Sequence, residues 1–249
     1  MAAPIVVRTV ADLRALVAGW RADGLRVGLV PTIGALHAGH VSLVEAARRS
    51  ADRVIVSIFV NPTQFAPNED FAKYPRTFQS DLDILSEVGT EAVYAPEVPT
   101  MYPPVAKLLI QAGPDVAVFG EKDFQQLAVI RRMAADLDLP VDIIGGATVR
   151  DADGLALSSR NRYLSAEERA TAPVLHRTML GVAKALGDGL SPAEALAEGR
   201  AAITAAGFDL DYLELRAADD LGDPHPGVPW RLLVAARLGA TRLIDNIAV

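Results

Sequence analysis

Two histidines flank a glycine in the tetrapeptide His37-Ala38-Gly39-His40. An apolar, strand-like run at 26–31 precedes them, and a helix-like run at 41–50 follows. This context predicts a strand-to-helix turn, where backbone N–H groups and the helix dipole favour anions. Imidazoles there can hold phosphates and stabilise the charge that moves during phosphoryl or nucleotidyl transfer. The alternative is a structural turn that carries two surface histidines.

A second tetrapeptide, Gly120-Glu121-Lys122-Asp123, follows an expected strand and opens an expected helix. Its glycine would let a phosphate approach the backbone, and its lysine would place a mobile positive charge over phosphate oxygens. Gln126 comes less than one turn after the tetrapeptide and can face the same pocket. The alternative is an ordinary helix start capped by acidic residues.

Three further places carry polar side chains of interest. Asn61 and Gln64 follow a buried strand, and their amides both donate and accept, which suits a small hydroxy acid. The run Ser158-Ser159-Arg160 offers two hydroxyls and a guanidinium for an anion. Asp81 could meet a magnesium ion carried by nucleotide phosphates, but we favour a role as helix cap or dipole partner.

The elements that must position these residues alternate between strands and helices up to about residue 148. Near-continuous apolar runs such as 54–60 suit a parallel sheet with helices on both faces and ligands at the carboxyl ends of its strands. Later, Ser165 with Glu168 and Ser191 with Glu194 form capping-box patterns before two helices. The first of these helices is expected to reach about residue 186, and three strand-like runs follow the second.

The sequence therefore predicts an α/β fold: a doubly wound, Rossmann-like parallel sheet in residues 1–148 and a second, smaller α+β domain in residues 149–249. Expected strands lie at 27–30, 53–60, 92–95, 116–119, 141–144, 210–215, 231–236 and 242–247. Expected helices of the first domain lie at 10–23, 40–50, 78–87, 105–111 and 122–138.

Composition excludes several classes of protein. The chain has 249 residues, 51% of them hydrophobic and 22% charged, as in a globular protein with a real core. A net charge of −7 argues against non-specific nucleic-acid binding. The chain has no cysteine, hence no disulfide framework, thiolate metal site or thiol nucleophile. We find no secretory signal and no membrane-spanning run, so we expect no membrane partner. The absence of cysteine fits a reducing cytoplasm.

Six stretches together carry a family resemblance: VPTIGALHAGHVSL, VSIFVNPTQF, YPRT, FGEKDFQQLAVIRR, TVRDADGLALSSRNRYLS and LLVAARLGATRLIDNIA. In this order, over nearly the whole chain, they resemble the pantothenate synthetase family of pantoate–β-alanine ligases. The histidine motif alone indicates only the wider superfamily of histidine-motif nucleotidyltransferases.

The resemblance implies an ATP-dependent, AMP-forming ligase. Pantoate's carboxylate attacks the α-phosphorus of ATP, which gives pantoyl adenylate and pyrophosphate. The amine of β-alanine then attacks the acyl carbon, which gives pantothenate and AMP. The family also implies Mg²⁺, a homodimer and a cytoplasmic location.

The resemblance also assigns roles to residues. His40 is the catalytic proton donor, and His37 assists at the phosphate. Gln64 and Gln126 are implied to bind pantoate, with Gln64 also near β-alanine, and we add Asn61 as a substrate-binding residue. We choose Lys122, Ser158, Ser159 and Arg160 as the residues that stabilise the transferring phosphate. The C-terminal domain is expected to close over the ATP site. The residues implied to bind ATP are Ile33, Gly34, Ala35, Leu36, His37, Ala38, Gly39, His40, Gly120, Glu121, Lys122, Asp123, Val149, Leu157, Ser158, Ser159 and Arg160.

The chain departs from the family pattern at three places. Ile33 replaces a common methionine, a mild change of similar volume. Ser80 stands where some relatives carry a second acid, so no side chain is assigned to a metal. Relatives have about thirty more residues between Pro104 and Val105, a size typical of a functional loop. Either the protein has lost this loop or the loop is missing only from this sequence, and we favour the second.

Two other functions are compatible with parts of this pattern. A different histidine-motif nucleotidyltransferase, acting on a cofactor precursor, predicts a basic pocket for an acceptor phosphate. Gln64 and Gln126 suit a hydroxy acid better. A non-catalytic nucleotide-binding module predicts ATP binding without turnover.

Overall fold

The computed structural model describes residues 3–60, 74–96, 104–225 and 227–249. The chain divides into two compact units. The first comprises Met1–Gly120 and Val129–Gly146, and the second comprises Glu121–Ala128 and Ala147–Val249. Within the described ranges, every helix is too short or too polar to cross a lipid bilayer.

The first unit is built on a six-stranded sheet in the order β1-β4-β3-β2-β5-β6, in which every paired strand runs parallel to its neighbour. The central strands are buried because helices cover both faces, as their continuous apolar runs predict. The strands are β1 Ile5–Val7, β2 Val27–Thr32, β3 Arg53–Ile58, β4 Ala92–Tyr94, β5 Val116–Gly120 and β6 Asp142–Gly146.

Among the described residues, five helices accompany this sheet in sequence. The core joins the sheet to the second and third of them, where Leu43 and Leu85 pack among the buried valines of the strands. The helices are α1 Val10–Ala22, α2 Ala38–Arg48, α3 Phe78–Glu87, α4 Pro104–Ala112 and α5 Phe124–Asp136, and the first turn of α5 belongs to the second unit.

The described part of the second unit contains three helices and an antiparallel sheet in the order β7-β8-β9, and its core joins the two longer helices to the sheet. Met179, Ile203, Leu213 and Leu232 lie fully buried at its centre. Its elements are α6 Ala166–Thr171, α7 Val174–Gly187, α8 Pro192–Ala205, β7 Asp209–Ala217, β8 Trp230–Leu238 and β9 Thr241–Ala248.

The predicted fold class is confirmed: a parallel doubly wound sheet is followed by a smaller α+β unit. The capping boxes at Ser165 and Ser191 are also present. The prediction of one long helix reaching residue 186 is wrong, because the helix stops before Pro173 and α7 starts after it. Proline lacks an N–H group, and its ring clashes with the preceding turn.

The imidazole of His176 on α7 packs against the turn at Gly154. A Cβ added to Gly154 would lie 2.6 Å from Nδ1 of His176. Burial lowers the pKa of His176 from its usual 6.5, nearby Arg150 lowers it further, and Asp245 opposes the shift. Because the folded pKa is depressed, protonation favours the unfolded chain. This contribution to stability is complete above about pH 6.5 and is lost as the pH falls.

We therefore expect the melting temperature to drop between pH 8 and pH 5.5 by more in the wild-type chain than in His176→Asn. Thermal unfolding followed by circular dichroism measures both. His225→Asn, at an exposed loop position, is the matched control and should keep the wild-type pH profile. Equal pH profiles for wild type and His176→Asn would contradict this assignment.

Candidate active site

The sheet of the first unit changes its winding direction between β2 and β5. The chain adds β3 and β4 on one side of β2, then crosses over to place β5 and β6 on the other side. Loops that leave the carboxyl ends of two such neighbouring strands diverge and open a crevice, where α/β proteins bind ligands. Residues 33–37 leave β2 here, and β5 ends here at Gly120.

The backbone between β2 and α2, together with the first turn of α2, forms the histidine turn (residues 33–40). Gly34 and Ala35 both have positive φ, at 79° and 52°. A Cβ at Gly34 would lie 3.1 Å from a carboxylate oxygen of Asp81, so a glycine fits there. For Ala35 the left-handed conformation costs about 1 kcal/mol or more, which surrounding contacts must offset.

Asp81 supplies those contacts. Its carboxylate is only 1% exposed and accepts hydrogen bonds from the backbone N–H groups of Ala35 (3.1 Å) and Leu36 (2.8 Å). The hydroxyl of Thr77 donates to it as well, at 3.2 Å. Asp81 does stand in the first turn of α3. Its strongest bonds, however, fix the histidine turn, a role that sequence reasoning missed.

We expect Asp81→Ala to lower the free energy of unfolding by about 2–6 kcal/mol, because it leaves two buried N–H groups unpaired at about 1–3 kcal/mol each. Urea denaturation measures the change. Asp83→Ala on the exposed face of α3 is the control and should cost less than about 0.5 kcal/mol. A similar loss in the two variants would show that Asp81 does not hold the turn.

The two histidines cap helix α2 together. His37 is the N-cap residue, and its Nδ1 accepts from the Gly39 N–H at 3.1 Å. The Nδ1 of His40 accepts from the His37 N–H at 3.3 Å, and the ring centroids lie 4.1 Å apart. Because each Nδ1 accepts, each neutral ring carries its proton on Nε2. Two imidazole N–H donors therefore belong to the start of α2.

The histidine turn has a buried part and a partly accessible part. Gly34, Ala35 and Leu36 are buried, and the amides of the last two are bonded to Asp81. Ile33, His37, Gly39 and His40 are partly exposed, and Ala38 is exposed.

Lys122 belongs to the second unit and lies in a 3-10 turn at Glu121–Asp123, the lysine turn. This turn begins directly after Gly120 and leads into α5. Lys122 is partly exposed, and Gln126 lies exposed in the first turn of α5. Asn61 and Gln64 lie outside the described residues.

The serine turn is another predicted phosphate-binding segment of the second unit. It comprises Ser158 and the 3-10 helix Ser159–Tyr163, and the Ser158 hydroxyl accepts from the Arg160 N–H at 3.3 Å. Asn161 ties the turn to the Ala156 carbonyl at 3.0 Å. The N–H of Leu157 donates to the carbonyl of Val149 at 2.9 Å, so the structure brings these two predicted ATP-binding residues together.

Paired imidazoles lie at the winding reversal of this doubly wound sheet. This arrangement is typical of α/β proteins that bind nucleotides or other phosphate ligands there. The family model described as pantoate-beta-alanine ligase matches residues 5–106 and 104–248. The chain belongs to this family and is an enzyme of this kind.

The sequences of curated relatives match this chain over almost their whole length. The chain is 52% identical to the pantothenate synthetase of Rhodopseudomonas palustris, over 99% of each chain. It is 50% identical to that of Caulobacter vibrioides, over 100% of each. The first alignment spans 280 positions, more than the 249 residues of this chain, and the family model matches in two pieces that meet at residues 104–106.

Solved structures share the fold. The pantothenate synthetase of Thermus thermophilus has a TM-score of 0.89 and 43% identity, over 97% of this chain and 98% of that one. The pantoate-beta-alanine ligase of Francisella tularensis has a TM-score of 0.82 and 29% identity, over 98% and 97%. The latter was crystallised as a complex with "Beta-gamma ATP" and β-alanine.

Proposed function

We propose that this chain makes pantothenate from pantoate, β-alanine and ATP in two steps. A pantoate carboxylate oxygen attacks the α-phosphorus, the bond to the bridging oxygen breaks, and pyrophosphate leaves. The β-alanine amine then attacks the acyl carbon, loses a proton, and AMP leaves. The observation that carries the proposal is the pair of imidazoles at the start of α2, each of which accepts a backbone N–H through Nδ1. They lie at the carboxyl end of β2, where the winding of the sheet reverses.

The first step needs charge stabilisation above all. A carboxylate is a poor acyl donor until one of its oxygens becomes part of a good leaving group. Negative charge builds up on phosphate oxygens during the attack, so positioned donors and cations accelerate it. We assign this work to His40 as proton donor, to His37 beside it, and to Lys122, Ser158, Ser159 and Arg160 at the phosphates.

We assign the binding of pantoate to side-chain amides. We propose that Gln126, with Gln64 and Asn61, binds the hydroxyl and carboxylate groups of pantoate, because amides both donate and accept. A transferase that acts on a phosphorylated precursor would need cations at these positions. The amides therefore favour pantoate as the acceptor.

Magnesium stays an expectation from the family resemblance. Over residues 3–60, 74–96, 104–225 and 227–249 there is no group of three or more His, Asp or Glu side chains that could hold a metal ion. Asp81 does not fit this role, because its oxygens already accept from two amides and a hydroxyl. Any magnesium would arrive on the nucleotide phosphates.

Three further features stay predictions: the homodimer, the cytoplasmic location and the loop between residues 104 and 105. We infer that the natural protein contains this loop. The intact mass of the protein isolated from its natural host tests this inference. A mass of 26.4 kDa, that of the present sequence, would mean that the loop is genuinely absent.

A product assay tests the proposed reaction. Purified protein is supplied with ATP and with pantoate, β-alanine or both, and AMP and pantothenate are quantified by mass spectrometry. We expect equal amounts of AMP and pantothenate only when both substrates are present. A stable adenylylated product that persists in the presence of β-alanine would instead support the alternative nucleotidyltransferase.

A further inference from the structure

Two adjacent polar residues, Asp245 and Asn246, interrupt the apolar strand β9. They are 6% and 2% exposed. Buried polar side chains in native proteins have hydrogen-bond partners, and the partners show what such a residue holds in place. The strand motif LIDNIA carries part of the family resemblance, yet none of the roles assigned above uses these two residues.

Asn246 holds the lysine turn. Its Nδ2 donates to the carbonyl oxygens of Glu121 and Lys122, both at 2.8 Å. Its Oδ1 accepts from Nε of Arg231 at 2.7 Å. Both amide hydrogens are thus used on the backbone of the two residues that open the turn.

Arg231 on β8 strengthens the same attachment. Its guanidinium pairs with the Glu121 carboxylate at 3.3 Å and lies 4.2 Å from the centre of the Phe124 ring. Both residues belong to the segment that carries Lys122. The lysine turn is therefore fixed to the small sheet at its first two carbonyls, at one side chain and at the start of α5.

Asp245 holds the segment that leads to the serine turn. It forms a two-pronged ion pair with Arg150, at 2.6 and 2.8 Å, and Arg150 also donates to the Gly154 carbonyl at 3.1 Å. Arg150 pairs with Ala156 as a β-bridge, two residues before Ser158. Consecutive residues of one strand thus hold the lysine turn and the segment that precedes the serine turn.

We propose that Asn246 is a positioning residue for adenylate formation, acting through Lys122. A lysine ammonium sits on a flexible four-carbon stem, so the backbone beneath it determines where it can reach. A shift of about 1 Å in a charge-stabilising group costs up to about 100-fold in rate. This inference rests on the phosphate role proposed above for Lys122.

Asn246→Asp is the variant of choice, because aspartate has the same shape as asparagine and keeps an oxygen that accepts from Arg231. It removes both amide donors and sets a carboxylate oxygen against two carbonyls. We expect kcat for pyrophosphate release to fall roughly 10- to 100-fold. We expect KM for pantoate to change less than about twofold and the bound adenylate to react with β-alanine at the normal rate, because Lys122 acts on phosphate in the first step.

A double-mutant cycle separates positioning from a general structural effect. In the Lys122→Ala background, Asn246→Asp should cause no further loss of rate, because the group it positions is gone. A further loss of the same factor would overturn the proposal. Leu243→Val, at a buried apolar position of the same strand, is the control for lost stability and should keep a near-normal rate.

Failure of this inference and failure of the role of Lys122 give different results. A normal rate in Lys122→Ala would overturn the role of Lys122 and, with it, this inference. A reduced rate in Lys122→Ala with a normal rate in Asn246→Asp would overturn the positioning role alone. If Asn246→Asp does not fold, Arg231→Met removes the partner of Asn246, keeps the apolar contact with Phe124, and enters the same cycle.

Discussion

Replacing His40 by alanine lowers the rate of pantoyl adenylate formation by about 10²- to 10⁴-fold, the range typical of a lost acid–base side chain. The imidazole accepts through Nδ1 from the His37 N–H, which leaves Nε2 as its N–H donor. Alanine removes that donor from the start of α2. Pre-steady-state pyrophosphate release with ATP and pantoate measures the rate.

The fold of His40→Ala should survive. The variant loses one capping hydrogen bond, worth about 0.5–2 kcal/mol, and the other contacts of the turn to Asp81 remain. His225→Ala, at an exposed loop position, is the matched control and should react at the wild-type rate. Unimpaired pyrophosphate release by His40→Ala would refute the assignment of His40.

We expect Lys122→Ala to lower kcat for adenylate formation by about 10²- to 10³-fold, the second large effect. Removing the ammonium takes away a cation that we assign to the phosphate oxygens as they gain charge. Lys122→Arg keeps the charge on a different geometry and should recover part of the rate. The rate of the second step should stay normal in both variants, because that step attacks the acyl carbon.

Lys184→Ala is the control for the loss of a positive charge from the second unit. Its side chain is 76% exposed, and its ion pair with Asp188 lies on the surface. An increase in KM for ATP with kcat unchanged in Lys122→Ala would mean that the lysine binds ATP equally in the ground state and the transition state. That result would remove it from the catalytic group.

Much of the fold could be predicted from local sequence. Continuous apolar runs specify buried parallel strands, and serine capping boxes specify helix starts. The predictions that failed concern elements whose sequence patterns are weaker or misleading. Strand β1 has only three residues, with Ile5 53% exposed, so no run of buried residues marks it. The predicted helix before Pro173 runs too far because its apolar periodicity continues across the proline.

The candidate site also has a part that local sequence predicts and a part that it does not. Residue types at strand ends point to the histidine turn and the lysine turn, and two hydroxyls beside a guanidinium point to the serine turn. The residues that fix these turns lie far away in sequence, and no local pattern connects them. Asp81 is 46 residues from Ala35, and Asn246 is 124 residues from Lys122. One signal was available, because charged and amide side chains inside the apolar strand β9 require buried partners.

The most direct measurement is a single-turnover reaction of the enzyme with ATP and pantoate in the absence of β-alanine, quenched and analysed by mass spectrometry. We predict that pyrophosphate and a pantoate–AMP adduct appear together in equal amounts, and that added β-alanine converts the adduct to pantothenate and AMP. If no pyrophosphate is released until β-alanine is present, or if it is released without the adduct, activation of the acid by adenylation is contradicted.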